Sequence, residues 1–430
     1  MEKNSHVSGK TSRRSFLKAA AAAAICSPHF IRSSALAGPG KFEANDQIGV
    51  GFVGIGGRAQ GTLMKLVLEQ PLGARVVAIA DCEESRTRTA VKQFPQSKDW
   101  GIYQDYRRMF DKEKLDAVFV PTTTHARVLV CIHALQAGLD VYAEKPITLT
   151  IGEGRPLVKA VRRYKRVLQV GSQQRSMRIN TYASDLVRNG AIGKVHTALC
   201  RAFLGPEHYQ PKPEMPIPEG LNWDMWCNQT ELRPYHTELH HEWARWWDYD
   251  GGGQINGITG WGTHAIDQIQ CALGKDDTGP VEIWPVTPGP TGKLAMRYAD
   301  GTMLKLELGL EEGPGLGGIF LGEKGKIEID RNVFTADPPE LTGKVPEPDA
   351  LDTLPHIQNW LDCIRTRERP TADVEIGHRT TTICHLANIC RELGRKLRWD
   401  PQKEIFPEDA EANARIHRPR RKGYELPEIL

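Results

Sequence analysis

Long hydrophobic runs are missing from this 430-residue chain. The longest wholly apolar stretch is the eight residues from Ala19 to Cys26, against the ~20 that a helix needs to cross a bilayer, so no integral membrane segment is expected. Closely paired cysteines are missing as well. Nine are scattered along the chain and none forms Cys-x-x-Cys, a spacing that offers neither a zinc nor a redox site. Charge of one sign is scarce: the formal charge is +3, but residues 1–37 hold six Lys or Arg against Glu2, so the +5 there leaves the remainder at −2. A near-neutral body has no broad basic face for phosphate backbones, which excludes nucleic acid as the partner. By the same reasoning the cluster Arg418, Arg420, Arg421, Lys422 is expected to be a solvated tail. What remains is ordinary globular material, with 40% hydrophobic and 25% charged residues, a balance that removes disordered, collagen-like and coiled-coil readings.

The basic start has its own order. Ser12-Arg13-Arg14-Ser15-Phe16-Leu17-Lys18 precedes six alanines, and Ala35-Leu36-Ala37 offers small residues for cleavage before Gly38. This resembles a twin-arginine export signal. The resemblance implies removal of residues 1–37, engagement of the export machinery, a periplasmic destination, and transport of a protein that has already folded with its cofactor. Folding in a reducing compartment accounts for the eight cysteines left, Cys82, Cys131, Cys200, Cys227, Cys271, Cys363, Cys384 and Cys390, as free buried thiols.

Beyond the Gly38-Pro39-Gly40 linker, Ile48 to Val53 reads as a buried strand, and Gly54-Ile55-Gly56-Gly57-Arg58-Ala59 opens a helical segment through Glu69. Gly54 permits the turn, Gly56 lets backbone approach a pyrophosphate, and small Ala59 allows the helix to lie on the strand. A second strand, Arg75 to Ala80, ends at Asp81, where a carboxylate can bind an adenosine ribose and repel a 2′-phosphate. That favours NAD; Arg58 leaves NADP open. Strands at 115–120, 140–143 and 167–171 alternate with helices at 125–137 and 152–164, a doubly wound parallel sheet. Ligands lie beyond the carboxyl ends of such strands, so Pro121-Thr122, Glu144-Lys145-Pro146 and Gln173-Gln174-Arg175 should converge.

The glycine loop with Gly57, Asp81, Pro121 to His125, Glu144-Lys145-Pro146, Gly252-Gly253 and Trp261-Gly262-Thr263-His264-Ala265-Ile266-Asp267 together resemble the Gfo/Idh/MocA oxidoreductases across roughly residues 45 to 400. The resemblance implies an NAD-binding Rossmann domain at 45–172 and an α+β substrate and oligomerisation domain at 173–345 with a large, mainly antiparallel open sheet. C-terminal helices and tail at 346–430 then fold back on both. It implies hydride transfer between a nicotinamide and a carbinol of a sugar or sugar derivative. Lys145 and His264 would be the catalytic pair, with cofactor contacts from Pro121, Thr122, His125, Glu144 and Gln173, and a homodimer or homotetramer as the assembly. Two departures stand out. Gly260 occupies a position where many members carry aspartate, with Asp248 or Asp250 as the candidate replacement, and Thr122-Thr123 stand where Asp-His is frequent. Asp267, on the same helix face as His264, either orients the imidazole or serves packing.

In the second domain a helix at 178–189 and a strand at 194–203 precede hairpins around Ala299-Asp300-Gly301 and between 317–321 and 326–330. Five of the ten tryptophans crowd residues 223–247, beside Arg233-Pro234-Tyr235-His236. Flat aromatic walls with a few polar groups suit the C–H faces of sugars, and Tyr235, His236, Gln174 and Arg175 are the candidate substrate ligands; an aromatic core beneath a long insertion is the alternative. His236, His240 and His241 lack acidic or cysteine partners at a familiar metal spacing. Two further functions are compatible: a redox-neutral NAD-dependent glycoside hydrolase acting by transient oxidation and elimination, and a sugar-binding scaffold.

Overall fold

The computed structural model describes residues 46–429, so the export signal read at 1–37 lies outside the described residues. Strand β1 (Ile48–Val53) is buried at all six positions, as its unbroken apolar run requires of a strand covered on both faces. A single π-helical turn (Ala59–Leu63) then runs into helix α1 (Met64–Glu69). β2 (Ala74–Ala80), β3 (Gly101–Tyr103), β4 (Ala117–Val120), β5 (Asp140–Ala143) and β6 (Leu168–Val170) complete a six-stranded parallel sheet in the order β3-β2-β1-β4-β5-β6. The order reverses between β1 and β4, which opens a crevice at their carboxyl ends. Helices α2 (Glu84–Gln93), α3 (Tyr106–Lys112), α4 (Thr124–Gln136) and α5 (Ile151–Tyr164) make the crossovers.

Helix α6 (Arg178–Arg188) leads into an eight-stranded sheet. Its strands are β7 (Val195–Arg201), β8 (Glu282–Pro285), β9 (Leu294–Arg297), β10 (Met303–Leu308), β11 (Gly318–Gly322), β12 (Gly325–Asp330), β13 (Val333–Asp337) and β14 (Leu397–Arg398), ordered β13-β12-β11-β7-β10-β9-β8-β14. Every pair is antiparallel except β7 with β10. Between β7 and β8, the short helices α7 (Trp223–Cys227) and α8 (Thr237–His241) lie in the long insertion, followed by α9 (Trp261–Leu273). Along β7, Ala198 and Cys200 are buried while Thr197, Leu199 and Arg201 are half-buried, the alternation of a sheet with one covered face.

The last quarter of the chain returns to both sheets. In α10 (Leu354–Thr366), Trp360 is fully buried edge-on to Phe119, which itself stacks on Phe52 at 4.5 Å. Burial of such a ring contributes about 1.5–3 kcal/mol. α11 (Val374–Leu393) lies against α5 and α9, and the Val170 amide donates to Ala372 O at 2.8 Å. The basic tail is not the solvated segment its composition suggests. Arg420 pairs with Glu153, which is 4% exposed, Arg421 pairs with Asp224, and Arg418 lies 4.7 Å over the Trp247 ring. A buried carboxylate needs a cation at hand, and only the folded chain brings these together. The eight cysteines from Cys82 onward are unpaired thiols, six of them buried. No helix among the described residues is long and apolar enough to cross a membrane.

Candidate active site

At the end of β1, Gly54 has φ of +93°, and a Cβ there would stand 3.0 Å from the Thr122 backbone. Glycine is therefore required both for the conformation and for the close approach of the β4 strand end. Gly57 faces open space, and Gly56 has only the Arg86 guanidinium nearby. Ala59 is fully buried where the helical run meets the sheet. Asp81, 7% exposed, has a second duty: its carboxylate accepts from Ile55 N at 2.6 Å and Glu83 N at 2.9 Å, clamping the loop to β2. Burial raises its pKa, with Arg86 opposing.

Gly54, Gly56, Gly57, Asp81 and Arg86 line a cleft of about 240 Å³ that continues past Pro121, Thr122 and Trp226. A loop whose glycines leave room for a diphosphate at a helical N-terminus, with a carboxylate at the neighbouring strand end, fits a dinucleotide. The Thr122 hydroxyl oxygen, buried and without a partner, is a free polar atom on that path.

Arg58, Pro121, Thr122 and Trp243 belong equally to a second cavity of about 350 Å³, which holds Lys145, His264, Glu144 and Asp250. Lys145 Nζ donates to Gly260 O at 2.9 Å. Burial, only partly offset by Glu144 and Asp250, pulls its pKa down to about 8. Glu144 is buried, which favours its neutral form, yet the Arg58 guanidinium, with Nε 2.7 Å from its carboxylate, keeps it below the usual carboxylate range. His264, on α9, stays neutral: burial first, then the nearby charges of Lys145 and Arg331, hold its pKa well below normal. Its Nδ1 is buried and unpartnered, as is Gln173 Oε1.

The carboxylate missing at Gly260 has a counterpart. Asp250 is 1% exposed and accepts from Thr124 Oγ1 at 2.5 Å, from Gly251 N at 2.6 Å and from Thr259 Oγ1. Burial lifts its pKa against those bonds. Asp248 instead pairs with Arg233 away from this cavity.

Several expected site residues lie elsewhere. Asp267 does not orient the imidazole: it takes Arg175 Nε at 2.8 Å and Thr380 Oγ1 at 2.9 Å. Arg175 is thereby spent on Asp267 and Asp276, its side chain only 4% exposed, and is no substrate ligand. Gln174 is buried, donating to Gln268 and Leu316 O. Tyr235 sits in a buried aromatic cluster with Trp223, and His236 caps α8 by accepting from Glu238 N. His125 points its Nε2 at Trp226 O, 2.7 Å away, among Trp226 and Tyr249, so burial takes it out of the cofactor cleft. The tryptophan-rich insertion is mainly core; Trp226 and Trp243 reach the cavities. Arg127, Thr259 and Arg331 also line this cavity and stand outside every motif that the sequence marks, whereas Trp261 opens the stretch that carries His264. For Arg127 the spacing of Thr124 one turn earlier on α4 was the available hint.

Residues 48–172 match the family model for the NAD-binding Rossmann fold of the Gfo/Idh/MocA oxidoreductase family, and residues 201–426 match that family's C-terminal alpha/beta domain. The chain belongs to this family. As a Gfo/Idh/MocA oxidoreductase it is 27% identical over 167 residues to inositol 2-dehydrogenase of Salmonella typhimurium, covering 38% of this chain and 48% of that protein. It is 26% identical over 146 residues to 2,7-anhydro-N-acetylneuraminate hydratase of Mediterraneibacter gnavus, covering 34% and 37%. The match thus spans less than half the length of these curated relatives. Among solved members of the fold, aldose-aldose oxidoreductase from Caulobacter crescentus, crystallised with glycerol, superposes with a TM-score of 0.58 at 18% identity over 82% of this chain and 99% of that one. The WlbA dehydrogenase from Bordetella pertussis, in complex with NADH and UDP-GlcNAcA, gives 0.59 at 18% identity over the same shares. At that identity the likeness is one of fold.

Proposed function

We propose that this Gfo/Idh/MocA oxidoreductase transfers hydride between a tightly bound nicotinamide dinucleotide and a carbinol carbon of a sugar or sugar derivative. The observation that carries the reading is the shared wall. A dinucleotide seated on the glycine loop would reach, through Thr122 and Pro121, the cavity that holds Lys145 and His264. When bound, the nicotinamide supplies the hydride acceptor. Neutral His264 accepts the hydroxyl proton, and charged Lys145 donates to the oxygen as it gains negative charge. NAD is preferred over NADP because the cations that would take a 2′-phosphate are already engaged, Arg58 by Glu144 and Arg86 by Glu83 at 2.6 Å. The order of residues 12–37 supports export to the periplasm by the twin-arginine route, and the half-buried outer face of the eight-stranded sheet supports a homodimer or homotetramer.

Denaturing the purified protein and counting the released dinucleotide tests the cofactor; close to one NAD(H) per chain is expected. Lys145→Ala should lower kcat/KM by about 10²–10⁴-fold, and full turnover by that variant would remove Lys145 from the chemistry. A keto sugar formed with NADH supports net oxidation, whereas two sugars without net NADH would point to redox-neutral glycoside cleavage.

A further inference from the structure

Sugar hydroxyls are neutral, yet the wall facing His264 is rich in cations. Arg58, Arg127, Lys145 and Arg331 line the cavity against two carboxylates, Glu144 and Asp250. Most of this charge is engaged, although Arg127 Nε is itself buried without a partner. Arg58 is bound to Glu144, and Arg127 is tied to Thr122 O at 2.5 Å and to Pro146 O, with its position beside Asp250 set through Thr124. Lys145 has its part in the chemistry. Arg331 holds only a long ion pair, 3.5 Å to Asp352.

Arg331 follows β12 in the turn to β13, where Asn332 takes φ of +61°, and its backbone amide is fixed by Asp330 Oδ1 at 2.7 Å. Its guanidinium is poorly served. Nε is buried with no partner, Nη2 reaches Gln174 Oε1 only at 3.4 Å, and Nη1 lies 3.5 Å from Asp352, a carboxylate that does not line the cavity. A guanidinium carries five donors in a planar fork, and enclosing donors without acceptors is costly. A ligand oxyanion lying in the plane of the fork would satisfy them by two parallel charge-assisted bonds. Trp243 and Trp261 stand in the same wall and supply apolar faces for a sugar ring.

We propose that Arg331 binds an oxyanion carried by the substrate, which makes the substrate an acidic sugar, a carboxylate or phosphate derivative with its reacting carbinol toward Lys145 and His264. This rests on the hydride-transfer reading of the same cavity. It also assigns Arg331 as the residue that sets specificity.

Calorimetric titration of the purified protein with D-glucuronate, D-glucose 6-phosphate and D-glucose, together with turnover of each, tests the assignment. At least one acidic sugar should bind about tenfold to a hundredfold more tightly than glucose, the range for a hydrogen-bonded charge pair. Preference for glucuronate identifies the carboxylate, and preference for the phosphate ester identifies that oxyanion. Arg331→Gln should raise KM for the preferred acid by the same factor while changing its kcat much less, and Arg331→Lys should restore part of the loss. Glucose binding as well as either acid, or an acid preference that survives in Arg331→Gln, overturns the proposal. If Arg331→Gln does not accumulate in folded form, the wild-type preference and the Arg331→Lys variant decide by the same criteria. Turnover of neutral sugars alone sinks the acidic-substrate assignment and leaves hydride transfer standing; acid binding with no nicotinamide reduction by any sugar does the reverse.

Discussion

Lys145 carries the most informative ionisation in the molecule. Its pKa of about 8 means the ammonium is charged at neutral pH and loses its proton within an accessible range. His264 is held neutral throughout that range. If charged Lys145 steadies the developing oxyanion, kcat/KM for alcohol oxidation is level below about pH 7 and falls as pH rises through about 8. A rise through the same value would make the neutral amine the base. Asp250 is one of the charges that lift the Lys145 pKa against burial. Asp250→Asn should therefore move the limb toward lower pH by roughly half a unit to one unit, read from the pH profile of kcat/KM. A limb that stays in place would reduce Asp250 to a packing role. This pairing shows where residue-level reading of the sequence stops. Lys145 and His264 were legible because each stands in a continuous stretch of matching residues. The choice between Asp248 and Asp250 was not, because it depends on whether Thr124 and Thr259 or Arg233 comes to meet the carboxylate.

Elements with a regular apolar run were readable, and those without were not. β1 and β5 coincide with unbroken apolar or β-rich runs bounded by turns, and the hairpin around Gly301 declares itself by its turn. β3 has only three residues and none is buried, and α2 buries only Thr87 and Ala90, so neither offers a periodicity to detect. The same limit misplaced Asp267 and Arg175, whose pairing joins α9 to the segment after β6 and, through Thr380, to α11. Removing Asp267 leaves a buried guanidinium with Asp276 alone. Asp267→Ala should cost about 3 kcal/mol or more of folding stability, measured by denaturant midpoint, and should leave the pH limb of Lys145 where it was. A shifted limb with unchanged stability would return Asp267 to the active site.

At the scale of the whole molecule, the two sheets are held by what comes last. Arg367 pairs with Asp140 at the start of β5, Ala372 O receives the Val170 amide of β6, and Arg420 reaches Glu153 on α5. A chain ending at His417 should lose at least about 3 kcal/mol, because Glu153 is left buried without its cation; an unchanged unfolding midpoint would show the tail to be dispensable. The dependence also sets a schedule. The residues of the first sheet leave the ribosome long before residue 420, and at roughly 5–20 residues per second that sheet waits on the order of tens of seconds for its last partner. The cleft's own lining, from Val53 to Trp243, is synthesised well before the tail that braces the sheet, so a cofactor that needs the braced sheet is retained only by a completed chain.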